Sequence, residues 1–350
     1  MKVNILTTKK SKLSAVDLSN LGFCKYYSDH MFIANYEGGE WKDFRITPFE
    51  DMKLSPACTT LHYGQTIFEG LKAYKNADNE ILIFRAQKNA QRFNKSADRM
   101  CMPSLPEDIF INSINELLKV DIDWVPKQKD SSLYIRPFMF AQDPYIGIKP
   151  AEKYIFMIIC GMAGGYYSEP VNVKIETKYT RAVSGGVGHA KTAANYAAAL
   201  YPAVISQGEG YHQLIWTDGI KHEYVEESGT MNLFFVIDGK LLTPPLGDTV
   251  LDGVTRDSVI SLCESLGINL EIRKISIKEI ISSIENGSLT EAFGTGTAAT
   301  IAPIKMIGYK SKKYKIQDAP NSLALKILDK LNDIKYGLDE DIFNWVHKLK

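Results

Sequence analysis

The chain has 350 residues, of which 45% are apolar, and its 41 basic side chains balance 41 acidic ones. The length predicts two domains, while the balanced charge argues against a nucleic-acid-binding protein and the short apolar runs against a membrane span. The five cysteines are scattered, the six histidines form no cluster, and the N-terminus lacks an apolar signal core. We therefore expect a cytoplasmic protein with reduced thiols and no metal site.

Residues 1–163 are predicted to form a small domain that mixes helices and strands. Residues 86–100 carry polar side chains at helical spacing, and residues 106–120 place an apolar stripe on one helical face. Two strand-like runs follow, beginning at Ser132 and Lys153. The glycine- and proline-containing residues 164–172 are predicted to link this domain to the next.

Residues 173–350 are predicted to form a larger domain. A strand is expected over 171–183, and helices over 191–207, 255–267, 277–287 and 321–337. Asp218-Gly219 and Asp238-Gly239 each lie between apolar runs, which predicts two antiparallel hairpins. Helices mixed with hairpins indicate an α+β chain of two lobes, with a ligand in the cleft between them.

Residues 185–192 read GGVGHAKT, which nearly matches a phosphate-binding loop. Two features argue against a nucleotide-binding loop of this kind. Ala190 occupies a position where close approach to phosphate requires glycine, and Asp238 belongs to a hairpin turn rather than to a parallel sheet. The alternative is that Lys191 is an amine that forms a Schiff base with an aldehyde cofactor.

Pyridoxal phosphate is such a cofactor, and the chain contains residues suited to its other groups. Val254 and Thr255 begin a predicted helix, whose N–H groups attract an anion such as phosphate. Thr297 adds a hydroxyl in a glycine-rich turn, and Glu227 is a carboxylate that would keep a pyridine ring protonated. Each of these residues alone has a plain structural explanation, as a turn residue or a surface charge.

Taken together, the chain resembles the branched-chain-amino-acid aminotransferases of pyridoxal-phosphate fold-type IV, and most closely their longer, eukaryotic-type branch. The resemblance covers nearly the whole chain. It is carried by six segments in the family's order: LHYGQTIFEGLKAY, SLYIRPFMF, RAVSGGVGHAKTAANY, EESGTMNLF, VLDGVTRDS and FGTGTAA. It implies an α+β fold with a small N-terminal α/β domain and a larger C-terminal domain with an antiparallel-rich sheet or barrel.

The resemblance also implies the roles of individual residues. Lys191 would form the internal aldimine and carry the proton between Cα and the cofactor. Tyr196 would bind the phenolic oxygen of the cofactor, Glu227 its pyridine nitrogen, and Leu251 would pack against the ring. The phosphate would be held by Arg92, Arg181, Val254, Thr255 and Thr297. The substrate pocket would be shaped by Phe23, Tyr63, Phe68, Tyr134, Arg136, Tyr166, Thr230 and Ala298.

The implied activity is the reversible, ping-pong transamination of L-leucine, L-isoleucine and L-valine with 2-oxoglutarate. Its direction, synthesis or breakdown, is left open by the sequence. The resemblance further implies a homodimer, in which a loop of one subunit reaches the site of the other. Two shorter classes share the lysine and the glutamate, D-amino-acid aminotransferases and 4-amino-4-deoxychorismate lyases, but they lack the match in the N-terminal and GTA segments.

One departure from the family concerns redox control. Mammalian members of the eukaryotic-type branch have two cysteines in C-x-x-C spacing after the GTA turn, where this chain has Ala299 and Ala302. We therefore expect the redox switch formed by those cysteines to be absent.

Overall fold

The computed structural model describes residues 1–128, 130–165, 167, 169–317 and 321–349. These residues form two compact units. The first comprises the described residues of 1–166, 190–193 and 332–350, and the second those of 167–189 and 194–331. In the described part of the chain, no helix has both the length and the apolar character needed to cross a membrane.

The strands and helices are numbered here in chain order. Up to residue 163 they are β1 (Asn4–Ile5), β2 (Phe23–Glu37), β3 (Glu40–Pro48), α1 (Thr59–Tyr63), β4 (Thr66–Phe68), β5 (Leu71–Lys75), β6 (Ile81–Phe84), α2 (Ala86–Arg99), α3 (Glu107–Val120), β7 (Ser132–Ala141) and β8 (Tyr154–Ala163). Short 3₁₀ helices lie at Leu13–Ala15 and Ile122–Trp124.

The later elements are β9 (Val171–Ile175), α4 (Ala193–Gly208), β10 (Gln213–Thr217), β11 (Val225–Ser228), β12 (Met231–Ile237), β13 (Lys240–Thr243), α5 (Val254–Ser265), β14 (Leu270–Ile272), α6 (Ile277–Glu285), β15 (Leu289–Gly296), β16 (Thr300–Tyr309), β17 (Lys312–Lys315), α7 (Leu323–Lys335) and β18 (Val346–Lys348).

The first unit is built on one sheet, with strand order β1-β3-β2-β8-β7-β5-β6-β18 and β4 paired to β7. Its core contains the apolar sides of α2 and α3, such as Phe93 and Phe110, together with Leu133 and Ile135 of β7. Because side chains alternate along a strand, Tyr134 and Arg136 of β7 point to the opposite face of the sheet. This alternation directs the predicted substrate residues of β7 away from the core.

The compact units and the predicted domains divide the chain differently. Residues 332–349 group with the first unit, because β18 pairs with β6 through the register Val346↔Phe84. Residues 190–193 also group with the first unit, through the contacts of Lys191 described below. The boundaries 1–163, 164–172 and 173–350 stay a prediction.

The second unit contains a closed barrel. Its strands follow the order β11-β10-β9-β16-β15-β12, and β12 pairs again with β11, which completes the ring. Strand β9 is parallel to both neighbours, whereas the other pairings in the ring are antiparallel. Apolar side chains such as Leu233, Phe235 and Ile307 form its core. The barrel confirms the expected α+β fold with an antiparallel-rich sheet.

The two Asp-Gly pairs behave differently. Asp238 and Gly239 have φ values of +50° and +73° and join β12 to β13 directly, as in a type I′ hairpin. At Asp218 the hairpin of β10 and β11 has a longer connection, because the Asp218 carboxylate accepts hydrogen bonds from the backbone N–H groups of Lys221, Glu223 and Tyr224. The strand predicted over 171–183 ends at Ile175.

Candidate active site

Lys191 lies in a short extended segment held by hydrogen bonds on both sides. Its backbone N–H donates to Ser96 Oγ of α2 at 2.9 Å, and its carbonyl accepts the N–H of Phe68 at 3.0 Å. The next residue, Thr192, donates its hydroxyl to the carbonyl of Thr66 at 2.7 Å. The backbone that carries the lysine is therefore fixed against α2 and β4.

Four of the predicted substrate residues lie close to one another and to this lysine. The Lys191 Nζ is 4.9 Å from the centre of the Phe68 ring, and the Arg136 guanidinium is 4.7 Å from the same centre. Arg136 Nη2 donates to Tyr134 Oη at 2.9 Å, and the Phe23 ring meets the Tyr134 ring edge-on at 4.9 Å. The structure thus brings Phe23, Phe68, Tyr134, Arg136 and Lys191 together.

The other predicted residues of the first unit have different surroundings. Arg92 is buried on α2 and donates Nε and Nη2 to the two oxygens of Glu69, at 2.7 and 2.8 Å. Tyr63, at the end of α1, is 43% exposed with its ring beside His62. Tyr166 lies outside the described residues.

In the second unit, Glu227 of β11 is a buried carboxylate, and each of its oxygens has a polar neighbour. Its Oε2 accepts the backbone N–H of Leu251 at 2.9 Å. Its Oε1 is 3.1 Å from Arg181 Nε, an ion pair that lacks the alignment of a hydrogen bond. Arg181 also donates Nη2 to the carbonyls of Gly188 and Thr249. Glu227, Arg181 and Leu251 are therefore neighbours.

Val254 and Thr255 form the first turn of α5, as the sequence predicts, and both are buried. The helix begins after Gly253, which offers no side-chain cap. A Cβ at Gly253 would lie 1.9 Å from Asn232 Oδ1, and Asn232 Nδ2 donates to the Leu251 carbonyl at 2.9 Å. Gly253 and Asn232 together fix the backbone between Leu251 and α5.

The remaining predicted residues lie in turns and at a helix start. Thr297 and Ala298 form the turn between β15 and β16. Thr230 lies in the turn between β11 and β12, and its carbonyl would be 3.0 Å from a Cβ at Gly296. Tyr196 is partly buried in the first turn of α4.

Several polar residues in these surroundings were not predicted, among them Glu69, Asn89 and Ser96 in the first unit and Asn232 in the second. The signal for two of them was present in the sequence. Asn89 and Ser96 lie three residues before and four residues after Arg92, so that all three share one helical face. Because all three are polar, the helix reads as solvent-facing along that side.

The donor sets of the two units, each taken by itself, fit the chemistry of pyridoxal phosphate. The first unit supplies an amine for an aldehyde, Lys191, and a buried guanidinium, Arg92. The second supplies a buried carboxylate for a ring nitrogen, Glu227, and a helix N-terminus with Thr255 for a phosphate. Among the described residues, no group of three or more His, Cys, Asp or Glu side chains is placed to hold a metal ion.

Comparison with known proteins identifies the family. Residues 66–307 match the family model described as amino-transferase class IV. The branched-chain-amino-acid transaminase 1 of Bacillus subtilis (strain 168) is 44% identical, over 94% of this chain and 94% of that protein.

Solved structures agree with this match. The branched-chain aminotransferase of Thermoproteus uzoniensis with norvaline has 26% identity and a TM-score of 0.76, over 92% of this chain and all of the other. The branched-chain amino acid aminotransferase from Escherichia coli has 25% identity and a TM-score of 0.74, over 92% of this chain and 99% of the other. The resemblance and the fold class inferred from the sequence are confirmed. The chain belongs to the class IV aminotransferase family.

Proposed function

We propose that this chain is a pyridoxal-phosphate-dependent aminotransferase. It transfers the amino group of L-leucine, L-isoleucine or L-valine to 2-oxoglutarate, and it works in both directions by a ping-pong sequence. The observation that carries the proposal is the placement of Lys191, whose backbone is held by α2 and β4 and whose amine lies over the Phe68 ring. An amine fixed in this way, beside the Phe68 ring and close to the Arg136 guanidinium, is suited to covalent catalysis.

The bound cofactor supplies an electron sink for the pair left when the substrate Cα loses its proton. The protein's own groups do the rest. Lys191 would hold the cofactor in the resting enzyme, and its amine, once released, would carry the proton between the substrate Cα and the cofactor. Glu227 would keep the ring nitrogen protonated, and the contacts from Leu251 and Arg181 hold its carboxylate in one orientation.

The other cofactor contacts are proposed from the family match. Arg92, Arg181, Val254, Thr255 and Thr297 would bind the phosphate, Tyr196 would bind the phenolic oxygen, and Leu251 would pack on the ring. The start of α5 supports the phosphate assignment, because Gly253, the residue before its first turn, has no side chain that could cap the helix. The buried guanidinium of Arg92 supports it as well.

The substrate pocket has to accept a branched aliphatic chain in one half-reaction and a carboxylate-bearing chain in the other. Apolar walls from Phe23, Tyr63, Phe68 and Tyr166 suit the first. Arg136 and the Tyr134 hydroxyl, joined by a hydrogen bond of 2.9 Å, suit the second. Thr230 and Ala298 complete the proposed pocket.

We propose a homodimer that uses the outer face of α4. The buried residues of this helix include Asn195, Pro202 and Ser206, whereas Leu200, Tyr201 and Val204 are each 65% exposed. A helix that turns polar and small residues inward and large apolar ones outward is typical of a subunit interface.

Sedimentation velocity tests this interface. We expect a dimer for the wild type and a monomer for Leu200→Asp combined with Val204→Asp. The matched control is Leu266→Asp, at an exposed leucine that follows α5. A dimeric double variant would exclude α4, and a monomeric wild type would exclude the homodimer.

We further propose a cytoplasmic location. All five cysteines are free thiols, as is usual for proteins of that compartment.

The experiment that tests the function is borohydride reduction of the purified protein, followed by peptide mapping. A pyridoxal enzyme is yellow, and reduction should fix the cofactor to the one tryptic peptide that contains Lys191. Label on another lysine would remove the central assignment. A colourless protein that binds nucleotide would instead favour a phosphate-binding loop at residues 185–192.

A further inference from the structure

We infer that Glu69, a residue with no role in the proposed chemistry, positions the phosphate-binding Arg92 and thereby sets the affinity for the cofactor. The inference rests on the proposed function, because it takes Arg92 as a phosphate ligand. It adds a positioning residue that the motif residues do not include.

The carboxylate of Glu69 is fully buried, with 0% of the residue exposed. It accepts Arg92 Nε at 2.7 Å on Oε1, and Arg92 Nη2 at 2.8 Å and Asn89 Nδ2 at 2.7 Å on Oε2. The N–H of Gly70 donates to Oε2 at 3.2 Å. A planar carboxylate that pairs with the Nε–Nη2 edge of a guanidinium fixes the plane of the arginine.

One face of α2 connects the Glu69–Arg92 pair to the backbone segment that carries Lys191. Asn89, Arg92 and Ser96 follow one another on the buried side of α2. The first two hold Glu69, and the third accepts the N–H of Lys191. Glu69 also directly follows Phe68, whose N–H donates to the Lys191 carbonyl. The arginine and the lysine are thus placed by adjacent parts of α2 and β4.

The charge of Glu69 is consistent with this role. Burial by itself would raise the pKa of the carboxyl, but the Arg92 guanidinium, the Lys191 ammonium and the Asn89 hydrogen bond outweigh it and lower the pKa. The carboxylate is therefore ionised at neutral pH. It balances the charge of Arg92 and holds its geometry before any phosphate arrives.

A second buried acid of the same unit provides the matched control. Asp121 is almost fully buried and contacts His30, at 2.6 Å from Nδ1 and 3.1 Å from the backbone N–H. Its replacement removes a carboxylate about as buried as that of Glu69, and within the described residues neither Asp121 nor His30 contacts a proposed cofactor residue. Asp121→Asn therefore measures the general cost of losing such a group.

The experiment titrates the apoenzyme with pyridoxal phosphate, and separately measures competition by inorganic phosphate. We expect Glu69→Gln to raise the dissociation constants for both by about 10- to 100-fold, the range known for groups that orient metal ligands. Glu69→Asp keeps the negative charge but sets it back by one methylene. This variant should fold, and its loss of affinity should lie between those of the wild type and Glu69→Gln. Asp121→Asn should lose thermal stability while both dissociation constants stay within about twofold of wild type, since ordinary changes away from a site leave it intact.

Three results would overturn the inference. The first is a wild-type dissociation constant in a folded Glu69→Asp or Glu69→Gln protein. The second is tighter phosphate binding in Glu69→Gln, which would make the carboxylate a repelling charge. The third is a loss of cofactor affinity in Asp121→Asn as large as that in Glu69→Gln, which would show that the effect comes from lost stability. A wild type that binds no pyridoxal phosphate would be a failure of the proposed function itself and would be seen before any variant is compared.

Discussion

Glu227 shows how one carboxylate acquires a fixed direction from its neighbours. The Leu251 N–H takes one oxygen, and the Arg181 guanidinium lies beside the other. Both neighbours are themselves held, Leu251 through Asn232 and Arg181 through the carbonyls of Gly188 and Thr249. A buried carboxylate that is held in one direction in this way can form a hydrogen bond with one particular atom of a ligand.

Replacing Glu227 by glutamine should therefore slow catalysis far more than it weakens cofactor binding. An amide cannot keep the ring nitrogen protonated as a carboxylate does, and loss of one such electrostatic partner commonly costs about 10²–10³ in rate. Steady-state kinetics at saturating pyridoxal phosphate measure the rate, and absorbance measures the occupancy. An unchanged rate would mean that Glu227 does not face the ring nitrogen.

At this scale the sequence singles out the motif residues but not the residues that support them. Lys191, Phe68, Tyr134 and Arg136 were predicted from recognisable segments, and they lie together. Glu69 lies inside one of the same segments, but its burial depends on the pairing of β4 with β7 and on the approach of α2. Such long-range packing leaves no pattern along the chain, so the acid read as an ordinary polar residue.

Helix α5 shows how an element, rather than a side chain, prepares a site. Its first turn follows Gly253, where a side chain would collide with Asn232 Oδ1. The absence of a Cβ allows Asn232 to hold the Leu251 carbonyl, and so fixes both the residue that contacts Glu227 and the start of the helix.

We expect Gly253→Ala to lower both stability and cofactor affinity. Asn232 has to move away from the new methyl group, and crowding of this kind typically costs about 1–3 kcal/mol. Thermal unfolding of the apoenzyme and titration with pyridoxal phosphate measure the two effects. The control is Gly247→Ala, because a Cβ there meets nothing within 4 Å. If the two variants had the same stability and the same cofactor affinity, the contact of residue 253 with Asn232 would contribute to neither.

The elements themselves were predicted closely where the pattern is local. Residues 86–100 and 106–120 form α2 and α3, and Asp238-Gly239 forms a tight hairpin. The strand expected over 171–183 was too long because Glu176, just after Ile175, accepts the N–H groups of Lys178 and Tyr179 and turns the chain. Barrel closure, through the pairing of β11 with β12, depends on the whole unit and was not predictable from any one segment.

For the whole enzyme we predict a characteristic substrate profile. Leucine, isoleucine and valine should all donate to 2-oxoglutarate with modest differences, since one methylene changes discrimination by only about 1–3 kcal/mol. Alanine should be poorer, and aspartate poor because its carboxylate would stop short of Arg136 and lie unpaired against apolar surface. Amine transfer from each donor at equal concentration is the measurement. If aspartate or a D-amino acid transferred its amine faster than leucine, the proposed substrate specificity would be wrong, although the protein would still be an aminotransferase.

We also predict that mild peroxide produces no thiol-reversible loss of activity. Ala299 and Ala302 cannot form a disulfide, and thiols with a raised pKa resist oxidation because the thiolate is the reactive form. Burial raises the pKa of Cys24 to about 11 and that of Cys263 to about 12, and raises that of Cys160 as well. Activity before and after peroxide, with and without dithiothreitol, tests this. Recovery by the reductant would reveal a cysteine pair that controls the site.

The pairing of β18 with β6 has a consequence for how the chain is made. Leu349 donates to the Ile81 carbonyl and Arg85 to that of Trp345, so residues 345–349 cover an edge of the first sheet. On the ribosome, β6 emerges long before these residues do. Until they follow, the nascent sheet presents an open edge, which is a template for pairing with other chains. A truncated gene product ending before residue 345 is therefore expected to depend on chaperones and to aggregate.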